Sequence, residues 1–242
     1  MSTAATSPVE QLETVRSLVA QATQRLLGDT ITVRDEQWRS PSRLPNWTRG
    51  HVATHLARNA DAIRRLAEWA RTGERQDMYA SAGQRESEIS AGATRSALDL
   101  QIDLDRSAGE LAEAFEELDA AGAWDAVVEL RGGMRVPARL LPLSRLLEVV
   151  IHHVDLDIGY DVGHIDQQEA EWLLEWYAFR LRDRDEFPKL VLISDSGFTI
   201  NLGSSGEVRT VRGSSANLLG WLMNRVDSST VDGSEDLRLP PF

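Results

Sequence analysis

Two pairs of side chains of metal-ligand type stand four residues apart in this chain, His51/His55 and Glu148/His152. On a helix, residues at i and i+4 share a face one turn apart. If both segments are helical and neighbours, imidazole nitrogens and a carboxylate oxygen converge on a single divalent cation. A catalytic site of this kind uses three protein ligands and keeps one position for water or substrate, so four candidates are one too many. His55 precedes Leu56 inside the apolar register of its segment, whereas His51 lies a turn nearer the start. That favours His55 as the ligand and leaves His51 as an outer partner or a surface residue. Glu148 and His152 lie in LSRLLEVVIHHVDLDIGY, which is apolar on nearly all sides. A carboxylate is costly to bury there without a partner, and a cation on the inner face would remove the cost.

The neighbouring polar residues fall into other roles. His153 projects about 100° around the helix axis from His152, so the two do not ligate together, and it reads as a hydrogen-bonded residue of another face. Asp155, one turn after His152, can orient a ligating imidazole through its second nitrogen. Asp157 reads as solvated, and His164, in a Gly-flanked turn, as structural.

The elements that must position these groups follow from apolar spacing. Leu12, Val15, Leu18, Val19, Ala22 and Leu26 repeat at helical period up to Gly28. A loop with Pro41, Pro45 and Trp47 leads to Thr48, a candidate N-cap for a helix through Val52, Leu56, Ala60, Ile63, Leu66 and Ala70 to Gly73. The stretch from Thr72 to Arg85 lacks a period and reads as an ordered loop. A single long helix is expected from about Ser87 to Asp119, with Gly109 as a candidate bend and Gly122 near its close. The Gly-Gly pair in VVELRGGMRVP suggests a hairpin over about Val127 to Val136. A further helix from about Pro142 to Tyr160 carries Glu148 and His152.

After Gly163 the pattern changes. A helix from Glu171 to Arg182 is followed by three short strands in KLVLISDSGFTINLGSSGEVRTVRG, then by a helix in SSANLLGWLMNRV capped by Ser214 or Ser215. The last dozen residues, VDGSEDLRLPPF, read as an arm or tail. The expected architecture is α+β, with a helical metal-binding domain over 1–163 and a smaller α/β domain over 164–242.

The 242 residues suffice for either one large or two modest domains. A formal net charge of −12, from 38 acidic and 26 Lys+Arg residues, disfavours nucleic acid or an anionic membrane as a general partner. There is no cysteine, so any metal must use His and carboxylate, and any thiol must come from outside the chain. The N-terminus MSTAATSPVEQLETV lacks the basic start and apolar stretch of a signal peptide. No window reaches the roughly 18 to 20 apolar residues of a membrane helix. A cytoplasmic monomer is the expected state.

The segments LPNWTRGHVATHLARNADAIRRLAEWARTGE, MYASAGQRESEI, RLLEVVIHHVDLDIGY and NLLGWLMNR, in this order over most of the chain, resemble the mycothiol-dependent maleylpyruvate isomerase family. The resemblance implies an N-terminal four-helix bundle like that of DNA-damage-inducible B-like (DinB-like) proteins, followed by a smaller α/β domain like sterol carrier proteins. It implies a catalytic zinc held by two His and one Glu, which here are His55, Glu148 and His152, and an arginine at the end of the last helix, here Arg225.

The implied chemistry is cis-trans isomerisation of maleylpyruvate to fumarylpyruvate, as in gentisate-type aromatic catabolism. Zinc stabilises the thiolate of mycothiol, the thiolate adds to the electron-poor double bond, the resulting single bond rotates, and elimination gives the trans product. A cationic side chain, assigned to Arg225, would hold the substrate and its enolate-like intermediate. Trp47, Tyr79 and Arg85 are candidates to line the cleft. Two other readings use the same scaffold: a mycothiol-dependent S-transferase acting on electrophiles, and a non-enzymatic metal-stabilised binding or regulatory protein.

Overall fold

A computed structural model describes residues 8–181 and 184–240, and the chain forms two compact units, Met1–Ile158 and Gly159–Phe242. The fold is α+β. Among the described residues, no helix is long and apolar enough to cross a membrane.

The first unit runs α1 (Pro8–Thr30), a single turn α2 (Asp35–Trp38), α3 (Arg49–Thr72), α4 (Ala82–Gly92), α5 (Ala97–Ala120), a hairpin of β1 (Val127–Glu129) and β2 (Arg135–Pro137), and α6 (Leu141–Asp155). Of its long helices, α3 packs against both α5 and α6, and α1 packs against α6. Thr48 caps α3 by accepting a hydrogen bond from the His51 amide, and Gly73 ends it in the left-handed conformation. The helix is buried on nearly every side, with Val52, Leu56, Ile63 and Leu66 fully enclosed.

Polar groups on so buried a helix need partners, and the partners fix its neighbour. The guanidinium of Arg145 on α6, 2% exposed, donates from Nη1 to Leu56 O and to Asn59 Oδ1, both at 2.8 Å. Burial lowers its pKa to about 10, so it stays charged at neutral pH. At the other end, Arg49 on α3 donates to the carbonyls of Leu156 and Asp157, each at 2.7 Å, and the Arg43 amide donates to Asp155 O at 2.9 Å. These bonds satisfy carbonyls left open where α6 ends. The helix stops at Asp155, short of Tyr160. The Asp157 carboxylate is not simply solvated: it accepts from Arg43 Nε at 3.2 Å and Arg49 Nη2 at 3.5 Å. Clamped at both points, α3 and α6 bring His55 alongside Glu148 and His152.

The long helix expected from Ser87 to Asp119 is two helices. Ser81 caps α4 and Ser96 caps α5, so the chain breaks just before Ala97, and Gly109 lies within α5 without interrupting it. The break lets α4 cross α3 at very short range. A Cβ on Gly50 would stand 2.3 Å from Ala93 O, and one on Gly92 would stand 2.4 Å from Thr54 Cγ2. Glycine on each helix permits the contact that presents α4 to the face of α3 that carries His55.

In the second unit, α7 (Gln167–Leu181) precedes β3 (Pro188–Ser194), β4 (Thr199–Leu202) and β5 (Ser205–Gly213), and α8 (Ser215–Leu222) follows, capped by Ser214. The strand order is β4-β3-β5, with β4 antiparallel and β5 parallel to β3. Leu190, Leu192, Leu202 and Val211 are buried, and α7 and α8 both contact the sheet. Reaching the far side of β3 from β4 takes only Gly203 and Ser204, which pass beneath the start of β3. Gly203 has φ +67°, and a Cβ there would stand 2.0 Å from Pro188 O and 2.6 Å from Phe187 O. The expected tail is partly structural: Asp232 bridges Arg212, and Val231 and Ser234 are buried. Arg182, the expected end of the first helix of this unit, and residues 241–242 of the tail lie outside the described residues.

Candidate metal centre

His55 on α3 and Glu148 and His152 on α6 bring three ligand-type atoms together. His55 Nε2 lies 2.9 Å from Glu148 Oε2 and 3.1 Å from His152 Nε2, and the third edge, His152 Nε2 to Glu148 Oε2, is 3.4 Å. Tetrahedral zinc with bonds of about 2.0–2.1 Å places its ligand atoms roughly 3.3 Å apart, so this triangle has the dimensions of one face of such a site. Exposure rises across it, from 7% for the His55 side chain to 16% for His152 and 24% for Glu148. The site is rooted in the core and open on one side, as a centre receiving an external ligand requires.

Hydrogen bonds fix the protonation of the cluster when no cation is held. Arg85 Nη2 lies 3.1 Å from His55 Nδ1 and can only donate to it, which puts the proton of a neutral His55 on Nε2. His152 gives its Nδ1 proton to Asp155 Oδ2 at 2.8 Å. Burial works against charging His152, but its bonds to Asp155 and Glu148 outweigh it and hold the imidazole at about 9. At neutral pH both Nε2 atoms then carry protons and share Glu148 Oε2 as acceptor, the place a cation would take. The donor set and the dimensions of the triangle fit a divalent ion, and Asp155, with no exposed surface, is placed to fix the His152 ring.

The protonation pattern makes the site's pH dependence specific. Burial pushes His55 down to about 4 against the pull of Glu148, so it is neutral at pH 7. Burial also opposes ionising Glu148, but hydrogen bonds from His152 and His55 hold its carboxyl well below the usual range. Only His152 must lose a proton to bind a metal. Between roughly pH 5 and pH 8, zinc binding is expected to release about one proton per ion, and apparent affinity to rise about tenfold per pH unit. Calorimetric zinc titrations in buffers of different ionisation enthalpy count the protons. An affinity that is flat from about pH 6 to about pH 8 would contradict the pattern.

The other predicted residues are placed as follows. His51 is a capping residue: its Nδ1 meets Thr48 Oγ1 at 2.7 Å and its ring stacks on Trp47. His153 is buried, with Nε2 3.1 Å from Asp29 Oδ2, and His164 meets Asp161 Oδ1 at 3.0 Å. Trp47 sets its edge against His55 with centroids 5.6 Å apart, and Arg85 lies over the Tyr79 ring at 5.7 Å. Arg225 follows α8 in the second unit, where its amide donates to Gly220 O at 2.7 Å and its Nη1 to Met223 O.

One residue of the neighbourhood went unpredicted. Arg131, at the tip of the β1–β2 hairpin, shares with Tyr79 and Arg85 the wall of a cavity of about 250 Å³. A larger cleft of about 490 Å³ between α1 and α5 reaches Arg145 but includes none of the three ligand-type residues.

Comparison with known proteins places this geometry in a family. The family model described as the mycothiol maleylpyruvate isomerase N-terminal domain matches residues 19–157. A crystal structure of a mycothiol-dependent maleylpyruvate isomerase is similar at 28% identity and TM-score 0.86, covering 96% of this chain and 97% of that one. A structure of a histidine-to-alanine mutant of that isomerase gives 28% identity and TM-score 0.85 over the same shares. No curated protein matches the chain.

Proposed function

The chain belongs to the mycothiol maleylpyruvate isomerase family, and from that premise we propose that it catalyses the mycothiol-dependent cis-trans isomerisation of maleylpyruvate to fumarylpyruvate. The observation that carries this reading is the His55–Glu148–His152 triangle, with edges of 2.9 to 3.4 Å, built into the matched region. When bound there, zinc would supply the positive charge that keeps an incoming thiol ionised at neutral pH. With no cysteine of its own, the chain takes its nucleophile from mycothiol.

Each side chain has a task in this reading. His55, Glu148 and His152 would hold the ion. Asp155 fixes the His152 ring. Trp47 packs against His55 and restricts the orientation of that ring. Arg225 is assigned to the negative charge that develops on the substrate's oxo group. The helical unit is the metal-binding domain, the second unit the smaller α/β domain, and the protein acts as a monomer in the cytoplasm.

The decisive assay follows maleylpyruvate consumption by zinc-loaded protein with and without mycothiol. Fumarylpyruvate is expected to form only with the thiol present, and the thiol is expected to be recovered unchanged. Isomerisation without thiol would overturn the mechanism. A stable thiol adduct would instead identify an S-transferase.

A further inference from the structure

The two ligand-type histidines have opposite partners. His152 Nδ1 faces a carboxylate, Asp155, which accepts the proton that a metal-binding imidazole must donate. His55 Nδ1 faces a guanidinium, Arg85, which has no acceptor to offer. Orienting a metal-bound His55 is therefore not what Arg85 is suited for, and its presence calls for another role. Its side chain is 12% exposed, held over the Tyr79 ring and tied through Nη1 to Glu86 at 3.0 Å. It also lines the cavity of about 250 Å³ formed by Met78 and Tyr79, the start of α4, and the turn Arg131, Gly132 and Gly133.

Each carboxylate of the cavity wall is already paired with an arginine. Of its three acidic wall residues, Asp77 and Glu129 are engaged by Arg75, at 3.3 and 3.4 Å, and Glu86 by Arg85, at 3.0 Å. Arg131 is exposed at the hairpin tip, and among the described residues its guanidinium has no ion-pair partner. Burial raises the Tyr79 phenol, which keeps it a neutral hydrogen-bond donor. At about 250 Å³ the cavity has room for a small acid. One guanidinium separates this cavity from the ligand triangle.

We propose that the cavity seats a carboxylate of the substrate, held by Arg85 from the metal side and by Arg131 from the hairpin. The assignment rests on the isomerase reading for the identity of the acid. Arg85 and Arg131 are then specificity-determining residues, and Arg225 is left for charge that develops during the reaction. Carboxylate recognition by a pair of arginines is charge-assisted and directional.

The test uses maleate, a dianion that resembles the acid end of the substrate, titrated calorimetrically into the zinc-loaded full chain. Arg131→Gln, on an exposed turn, is expected to retain zinc and to bind maleate about tenfold more weakly, the order expected for one lost charge-assisted hydrogen bond. Arg131→Lys is expected to recover part of the loss. Arg85→Gln is expected to lose at least as much, with its zinc content measured alongside. In turnover, Arg131→Gln raises KM for maleylpyruvate with kcat kept. If the native chain does not bind maleate, or if Arg131→Gln binds it as tightly as the native chain does, the proposal is wrong. Arginine-dependent maleate binding in a chain that turns over no maleylpyruvate would overturn the isomerase reading and leave the cavity assignment standing.

Discussion

Glu148→Gln is expected to leave a folded chain that no longer retains a divalent cation and whose mycothiol-dependent turnover falls at least about a hundredfold. The amide matches the carboxylate in shape but removes the only negative ligand of the triangle, leaving two neutral imidazoles to meet a doubly charged ion. Its NH2 group also adds a donor where His55 Nε2, 2.9 Å away, and His152 Nε2, 3.4 Å away, already converge. Losing a mere outer partner of a metal site costs about 10–100-fold in affinity or activity, and a ligand costs more. Zinc content after dialysis and initial rates with mycothiol are the measurements. One equivalent of tightly held zinc in the variant would refute the ligand assignment.

Gly203→Ala is expected to have the largest effect on stability. The residue sits at φ +67° and its Cβ would overlap two backbone carbonyl oxygens, of Pro188 and Phe187. Backbone cannot move aside as a flexible side chain can. Left-handed strain and overpacking together place the cost at about 3–5 kcal/mol. For a unit of this size, each kcal/mol lowers Tm by about 4–8 °C, so the loss should exceed roughly 12 °C. Hydrogen exchange should rise first in β3 and β5, which are joined in parallel only because the chain crosses beneath β3 at this point. A variant that melts with the native protein would show that the crossing has slack.

The grouping of His55, Glu148 and His152 was readable because its spacing is local. Glu148 and His152 lie one turn apart on a segment too apolar to hide a carboxylate, and that tension is visible before any fold is known. Choosing His55 over His51 rested on the apolar register, and Thr48 explains what His51 does instead: its ring completes the helix cap. Arg131 was invisible for the opposite reason. It comes near Tyr79 and Arg85 only when the hairpin folds over the start of α4, and nothing near it in sequence marks that contact. The α4–α5 break was hidden because Ile89, Ala93, Ala97 and Leu100 keep a helical period through it, while Ser96 is a weak mark beside so regular a pattern. Gly109 drew attention as a bend that α5 does not need. The packing of Val231 and Ser234 against the second unit is likewise a tertiary property of a stretch whose composition is that of a tail.

His55 and Glu148, two of the three ligand-type residues, lie 93 residues apart along the chain. A cation held by them would act as a reversible staple in a protein that has no cysteine to form a permanent one. For comparison, a covalent link closing a loop of about 100 residues is worth about 4.7 kcal/mol on the chain-entropy estimate. The contribution of an ion grows instead with its free concentration relative to its dissociation constant. The lifetime of the folded chain would then follow the metal supply of its surroundings, so that depletion would mark the protein for unfolding and turnover as well as silencing it.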